Sequence, residues 1–144
     1  MTNTGPHTTS NPTGWHAGDL TSRAIAAALD VHRALGPGLL ESSYRACLRH
    51  ELSLRAMEVE CERPVPICYR GVRLDCGYRL DMVVERRLVL ELKAVASLQP
   101  IHVAQVVTYL RLTGLELGLL LNFNVALMKH GIRRIVRTER GPAS

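Results

Sequence analysis

The stretch Tyr78-Arg79-Leu80-Asp81-Met82-Val83-Val84-Glu85 decides the fold. Read as a strand, its side chains alternate between two faces. Tyr78, Leu80, Met82 and Val84 make one apolar face, and Asp81 falls on the other. A tight turn at Arg86-Arg87 leads into Leu88-Val89-Leu90-Glu91-Leu92-Lys93-Ala94-Val95. Leu88, Leu90 and Leu92 repeat the apolar face, while Glu91 and Lys93, two residues apart, share the opposite one. A carboxylate and an ammonium on strands this apolar are costly to bury unpaired. Neighbouring strands can bring Asp81, Glu91 and Lys93 to one spot. Carboxylate oxygens converging there, with an ammonium beside them, suit a hard cation, Mg2+ or Mn2+. The same spacing also serves a structural Asp–Lys or Glu–Lys ion pair on an exposed face.

Outward from this pair of strands, the period-two pattern continues upstream. Val59, Cys61 and Arg63 lead into Pro64-Val65-Pro66-Ile67-Cys68-Tyr69, which the prolines mark as an edge or irregular strand. Arg70-Gly71 reads as a turn and Val72 to Cys76 as another strand, so a meander of three or four antiparallel strands is expected. Helical spacing begins near Asp19, an N-cap candidate, with Leu20, Ala24, Ala27, Ala28, Val31 and Leu35. Gly36-Pro37-Gly38 stops that helix. A second helix is predicted from Leu39 to Ala56, with Leu40, Tyr44, Cys47, Leu48 and Leu52 as its apolar stripe. Downstream, Pro100 precedes a third helix from Ile101 to Leu112, which Gly114 ends. Glu116 to Asn122 reads as a buried strand, and Gly131 to Val136 as an alternating, basic one. The order α-α-β-β-β-β-α-β-β implies an α+β fold, a mixed sheet with helices packed on it.

A chain of 144 residues suits one domain. Its 47% apolar content excludes a disordered protein, and only 4% aromatics leaves Leu, Val, Ile and Ala to build the core. No apolar run reaches the ~18–20 residues of a membrane helix. No basic residue precedes a hydrophobic stretch near the N-terminus, against a secretory signal. A soluble, cytoplasmic chain without a membrane partner is expected. Residues 1–17 lack periodicity and read as a disordered tail, with Trp15 the residue suited to dock it. The domain is expected over 18–138, followed by a short tail, 139–144. The net charge of +5 suits an anionic partner such as nucleic acid, with Arg133-Arg134 and Arg137 the densest patch. Only Lys93 and Lys129 are lysines, so a GC-rich coding bias also accounts for the basic excess. Cys47, Cys61, Cys68 and Cys76 lack C-x-x-C spacing and read as reduced thiols rather than a metal or cluster site.

Further polar residues fall at helical spacings. Glu41 and Tyr44 are at i, i+3 on the second helix, and Gln105 and Tyr109 at i, i+4 on the third. Each has a plain reading: Glu41 favours the helix dipole, Tyr44 is core, and Gln105 lies on the surface. His32 and His102 each read as a packed or capping side chain or as a site residue.

The segment Gly38-Leu39-Leu40-Glu41-Ser42-Ser43-Tyr44 resembles the signature of the GxxExxY proteins. Gly77-Tyr78-Arg79-Leu80-Asp81, Glu91-Leu92-Lys93-Ala94-Val95, Ile101-His102 with Gln105, Thr108-Tyr109-Leu110 and Leu120-Leu121-Asn122-Phe123-Asn124 follow in that family's order. The resemblance covers about residues 19–137. That family is similar to the PD-(D/E)xK nucleases, whose fold is restriction-endonuclease-like. The resemblance makes Asp81 the motif aspartate, Glu91 and Lys93 the ExK pair, and Glu41 the helix-borne acid. Gln105 and Tyr109 match the QxxxY element of the exonuclease branch. Leu80 stands where the motif has proline, a departure the superfamily tolerates. The activity implied is metal-dependent phosphodiester hydrolysis, in DNA before RNA. Asp81, Glu91 and the Leu92 backbone carbonyl would hold Mg2+ or Mn2+, with Glu41 completing the shell. Lys93 would orient a water, Gln105 and Tyr109 would hold the water network or a strand end, and Arg79 would contact phosphate. The partner implied is nucleic acid, with a homo-oligomer expected where duplexes are cut. The alternative is a non-catalytic nucleic-acid-binding or assembly protein that keeps the nuclease fold.

Overall fold

Ala24, Ala27, Ala28 and Val31 recur on one side of α1 (Asp19–Leu35) and are buried there. Their small side chains let the helix lie close to its neighbours. Gly36 and Gly38 both take positive φ, which ends α1 and turns the chain into α2 (Glu41–Leu54). Tyr44, Leu48 and Leu52 fill the buried stripe of α2. The computed structural model describes residues 19–137. The two expected tails, Trp15 included, lie outside the described residues.

Seven strands follow: β1 (Val59–Pro64), β2 (Ile67–Tyr69), β3 (Val72–Leu74), β4 (Arg79–Val84), β5 (Leu88–Lys93), β6 (Leu117–Asn122) and β7 (Ile132–Val136). Between β5 and β6 runs α3 (Pro100–Thr113), which Gly114 ends in the left-handed conformation at φ 79°. A short 3-10 turn, Met128–Gly131, precedes β7. Five strands make one sheet in the order β1-β4-β5-β6-β7. β5 and β6 are parallel, joined by the α3 crossover, and the other pairings are antiparallel.

The sheet is covered on both faces. Met82, Val84, Leu88, Leu90, Leu92, Leu119 and Leu121 pack with α1 and α2. Val83, Val89, Leu120 and Leu80 pack with Val106, Tyr109 and Leu110 of α3. Gly118 in β6 is where α3 comes closest: a β-carbon there would stand 3.0 Å from Val106 Cγ1.

Three expectations are corrected. Leu40 and Cys47 do not join the buried stripe of α2, and both are exposed. The meander forms only in part: β1, β4 and β5 pair antiparallel side by side, but β2 and β3 leave the main sheet and pair only with each other. β1 pairs directly with β4 as far as the buried Val65, whose N–H donates to the Tyr78 carbonyl at 2.9 Å; Pro66 has no donor to continue the ladder, and the chain leaves it there. The unbroken apolar face Tyr78-Leu80-Met82-Val84 does not exist either. Tyr78 is nearly half exposed, and Leu80 packs on the α3 side while Met82 and Val84 pack on the other. The alternation breaks at Asp81.

Candidate active site

Asp81 sits where strand pairing opens. The β4–β5 ladder runs through Val84↔Leu88, Val83↔Val89 and Met82↔Leu90, and ends there, short of Asp81 and Glu91. On the other side, the β1–β4 register passes over Glu62, the residue opposite Asp81, which has φ 55°. The Asp81 carboxylate replaces the missing backbone acceptor: Leu92 N–H donates to its Oδ2 at 2.8 Å. One side chain thus ties β4 to the end of β5 and holds its carboxylate at the strand opening.

Glu91 follows on β5, only 5% exposed. Its Oε1 is buried without a hydrogen-bond partner. Burial pushes its carboxyl up to about 7, with the Asp81 charge adding to the rise and Lys93 opposing it. Lys93 Nζ stands 3.8 Å from Glu91 Oε2. It donates to Gln105 Oε1 at 3.2 Å, and Gln105 Nε2 donates to the Tyr109 hydroxyl at 3.1 Å. This chain of contacts fixes the ammonium between β5 and α3. Burial, and then the Glu91 charge, raises the Tyr109 phenol above its usual range.

From the other face, α2 brings Glu41 in its first turn. Tyr44, fully buried, stacks on Phe123 at 4.7 Å. Its hydroxyl donates to the Gly36 carbonyl at 2.6 Å and accepts from Leu39 N–H at 3.1 Å. The tyrosine of the motif therefore pins the glycine turn that aims the start of α2, and with it Glu41.

Two site residues escaped the sequence reading. Arg45 Nη2 donates to Glu41 Oε1 at 2.7 Å and its Nε to Asp81 Oδ1 at 3.2 Å, joining α2 to β4. Its i+4 spacing from Glu41 was the available signal. Asn122, 1% exposed, accepts Val95 N–H and donates to Val95 C=O, at 3.1 and 3.0 Å. It clamps the chain just after Lys93.

The histidines find structural contacts. His32 bonds the Val125 carbonyl at 2.7 Å through Nε2. His102 Nδ1 accepts Gln99 N–H at 2.9 Å and closes the start of α3. Arg79 pairs with Asp75 at 3.5 Å. The four cysteines are free and lie on separate segments.

A model of the PD-(D/E)XK nuclease superfamily matches residues 18–135. The chain belongs to this superfamily. Comparison with curated proteins and with solved structures finds no match. The mixed five-stranded sheet flanked by helices is the restriction-endonuclease-like fold of PD-(D/E)XK nucleases, and members of the superfamily generally use divalent metal ions. No helix of the described residues is long and apolar enough to cross a membrane. Among the described residues, no three His, Cys, Asp or Glu side chains form a ready metal cage. The donor chemistry around Glu91 and Asp81 nevertheless fits a hard cation. Glu91 Oε1 is an acceptor with no donor, next to a second carboxylate, which a divalent ion would satisfy.

Proposed function

We propose that this chain is a metal-dependent nuclease of the GxxExxY group that hydrolyses phosphodiester bonds, with DNA its substrate. The observation that carries the reading is the unpartnered, buried Glu91 Oε1 beside Asp81 and Lys93. A structural ion pair would satisfy both carboxylate oxygens; this arrangement leaves one free at the strand opening.

Asp81, Glu91 and the Leu92 carbonyl would hold Mg2+ or Mn2+, with Glu41 at the edge of the shell. A bound ion of this kind polarises a phosphoryl oxygen and makes a water more acidic. The residues of the chain supply the rest. Lys93, held by Gln105, presents its ammonium where the phosphate gains negative charge. Gln105 and Tyr109 keep that ammonium from collapsing fully onto Glu91. Arg45 screens Asp81 and Glu41 from one another and links helix to strand.

The test is cleavage of single- and double-stranded DNA with Mg2+ or Mn2+, alongside Mn2+ calorimetry. Wild type should bind the ion and cut. A double variant, Asp81→Ala with Glu91→Ala, should do neither. Equal Mn2+ binding by that variant, or no cleavage by wild type on any nucleic acid with either metal, sinks the reading.

A further inference from the structure

A cavity of about 470 Å3 opens beside Lys93. Lys93 and Gln105 form its polar end; Tyr78, Tyr109, Ile101 and Leu112 form its apolar walls. Its rim is unusually bare of cover, with Tyr78 45% and Ile101 69% exposed. The two tyrosine rings meet edge to face, centroids 6.4 Å apart, and the exposed Tyr78 ring stands at the mouth of the cavity. Gly77, at φ 85°, makes the turn that sets Tyr78 out before β4 begins.

The occupant must be flat and mostly apolar, and attached to an anion that reaches Lys93. A nucleobase one sugar away from its phosphate has these properties. Aromatic platforms beside a basic path are how single strands are held, because every base has a π-face. The neighbouring hairpin of β2 and β3 supplies the charge. Ile67, its first residue, lines the cavity, and the hairpin carries Arg70 and Arg73 with no acid between Ile67 and Leu74. Bases within a duplex are stacked and paired, and one fills the cavity only by leaving that stack, which a single strand or frayed end does at least cost.

We propose that this cavity receives an unstacked nucleobase next to the phosphate held at Lys93, so that the substrate is a single strand or frayed end. The inference rests on the nuclease reading and deepens it. With a chelator present to prevent cleavage, short oligonucleotides carrying 2-aminopurine report stacking through fluorescence quenching. A single strand should bind and be quenched when the probe occupies one position, and an intact duplex should show neither at its centre. Tyr78→Ala should remove that quench and weaken single-strand binding at least about fivefold, the lower end of one base–aromatic stack. Thr108→Trp, which fills the cavity from α3, should do the same. Both should keep the wild-type melting temperature, since neither position is in the buried core.

Unchanged quenching and affinity in both variants would overturn the inference, as would unquenched binding strongest to intact duplex. A wild-type dimer that Thr108→Trp splits without altering DNA binding would assign the cavity to a second copy and overturn it too. If these arms fail while metal-dependent cleavage persists, the nuclease reading survives alone. If wild type neither binds nor cuts nucleic acid, both fall.

Discussion

The β4–β5 ribbon has two ends that differ in kind. At one end Val84 pairs with Leu88 and Val83 with Val89, all buried, with regular backbone pairing. At the other, pairing stops after Met82↔Leu90, and Asp81, Glu91 and Lys93 take over. The closed end gains stability from apolar burial. The open end gives up ladder bonds, breaks the side-chain alternation and leaves a buried oxygen unsatisfied. Chemistry is placed where the sheet stops being regular, and the regular part holds it there.

The sharpest way to break the comparison is to cut a core side chain at the closed end. Leu88→Ala should cost about 2–5 kcal/mol of stability, read from urea denaturation, because Leu88 is fully buried at the closed end. The folded fraction should keep its wild-type rate of cleavage. Lys93→Ala should do the reverse. Its cleavage rate should fall by about 10²–10³, the usual effect of losing one such electrostatic contact. Its melting temperature should stay near wild type, and its DNA affinity should fall far less than its rate. Lys93→Arg should not rescue the rate, because a planar guanidinium cannot lose its proton or replace a point charge. A Lys93→Ala protein that unfolds would return Asp81, Glu91 and Lys93 to the status of a structural ion pair.

A smaller effect tests the open end alone. Glu91 has a folded-state carboxyl raised from 4.5 to about 7. Between those values the folded chain binds more protons than the unfolded one, so stability falls as pH rises through that window. The loss should be on the order of 1–3 kcal/mol and complete above about pH 7. Thermal melts at pH 5 and pH 8 should show it in wild type and not in Glu91→Gln. A flat wild-type profile would mean that the carboxylate is not strained by burial. The smallest change is expected from Arg45→Gln. The guanidinium and Glu41 are both about a third exposed, so solvent screens the pair, and stability should move by no more than about 1 kcal/mol. A loss of 3 kcal/mol or more would place Arg45 in a buried network instead.

The legible parts of the sequence were those set by local rules. Gly36-Pro37-Gly38 and Gly114 end helices because few residues other than glycine take the left-handed conformation readily, and the helix ends fall next to them. Leu88, Leu90 and Leu92 share a face because a strand has a period of two. That period also placed Glu91 and Lys93 side by side. Illegible were the features decided by distant partners. The prolines announced an irregular strand but not that β2 and β3 would pair apart. The break at Asp81 arises because its carboxylate accepts a backbone N–H eleven residues on. Arg45 looked like any polar helix residue, since both its partners lie on other turns or other elements. Asn122 read as the end of an apolar strand, and only the fold shows it gripping Val95.

The parallel pairing of β5 with β6 also orders events in time. A ribbon such as β4–β5, closed by the short turn between Val84 and Leu88, forms on a scale of microseconds. β6 can reach β5 only after the chain has run out through α3 and back, a closure over more than twenty residues. The two acids therefore meet while water still reaches them. Lys93 gains Gln105, and Glu91 loses its hydration, only when α3 docks. The strain of the site therefore belongs to the docking of α3 and not to the β4–β5 hairpin alone.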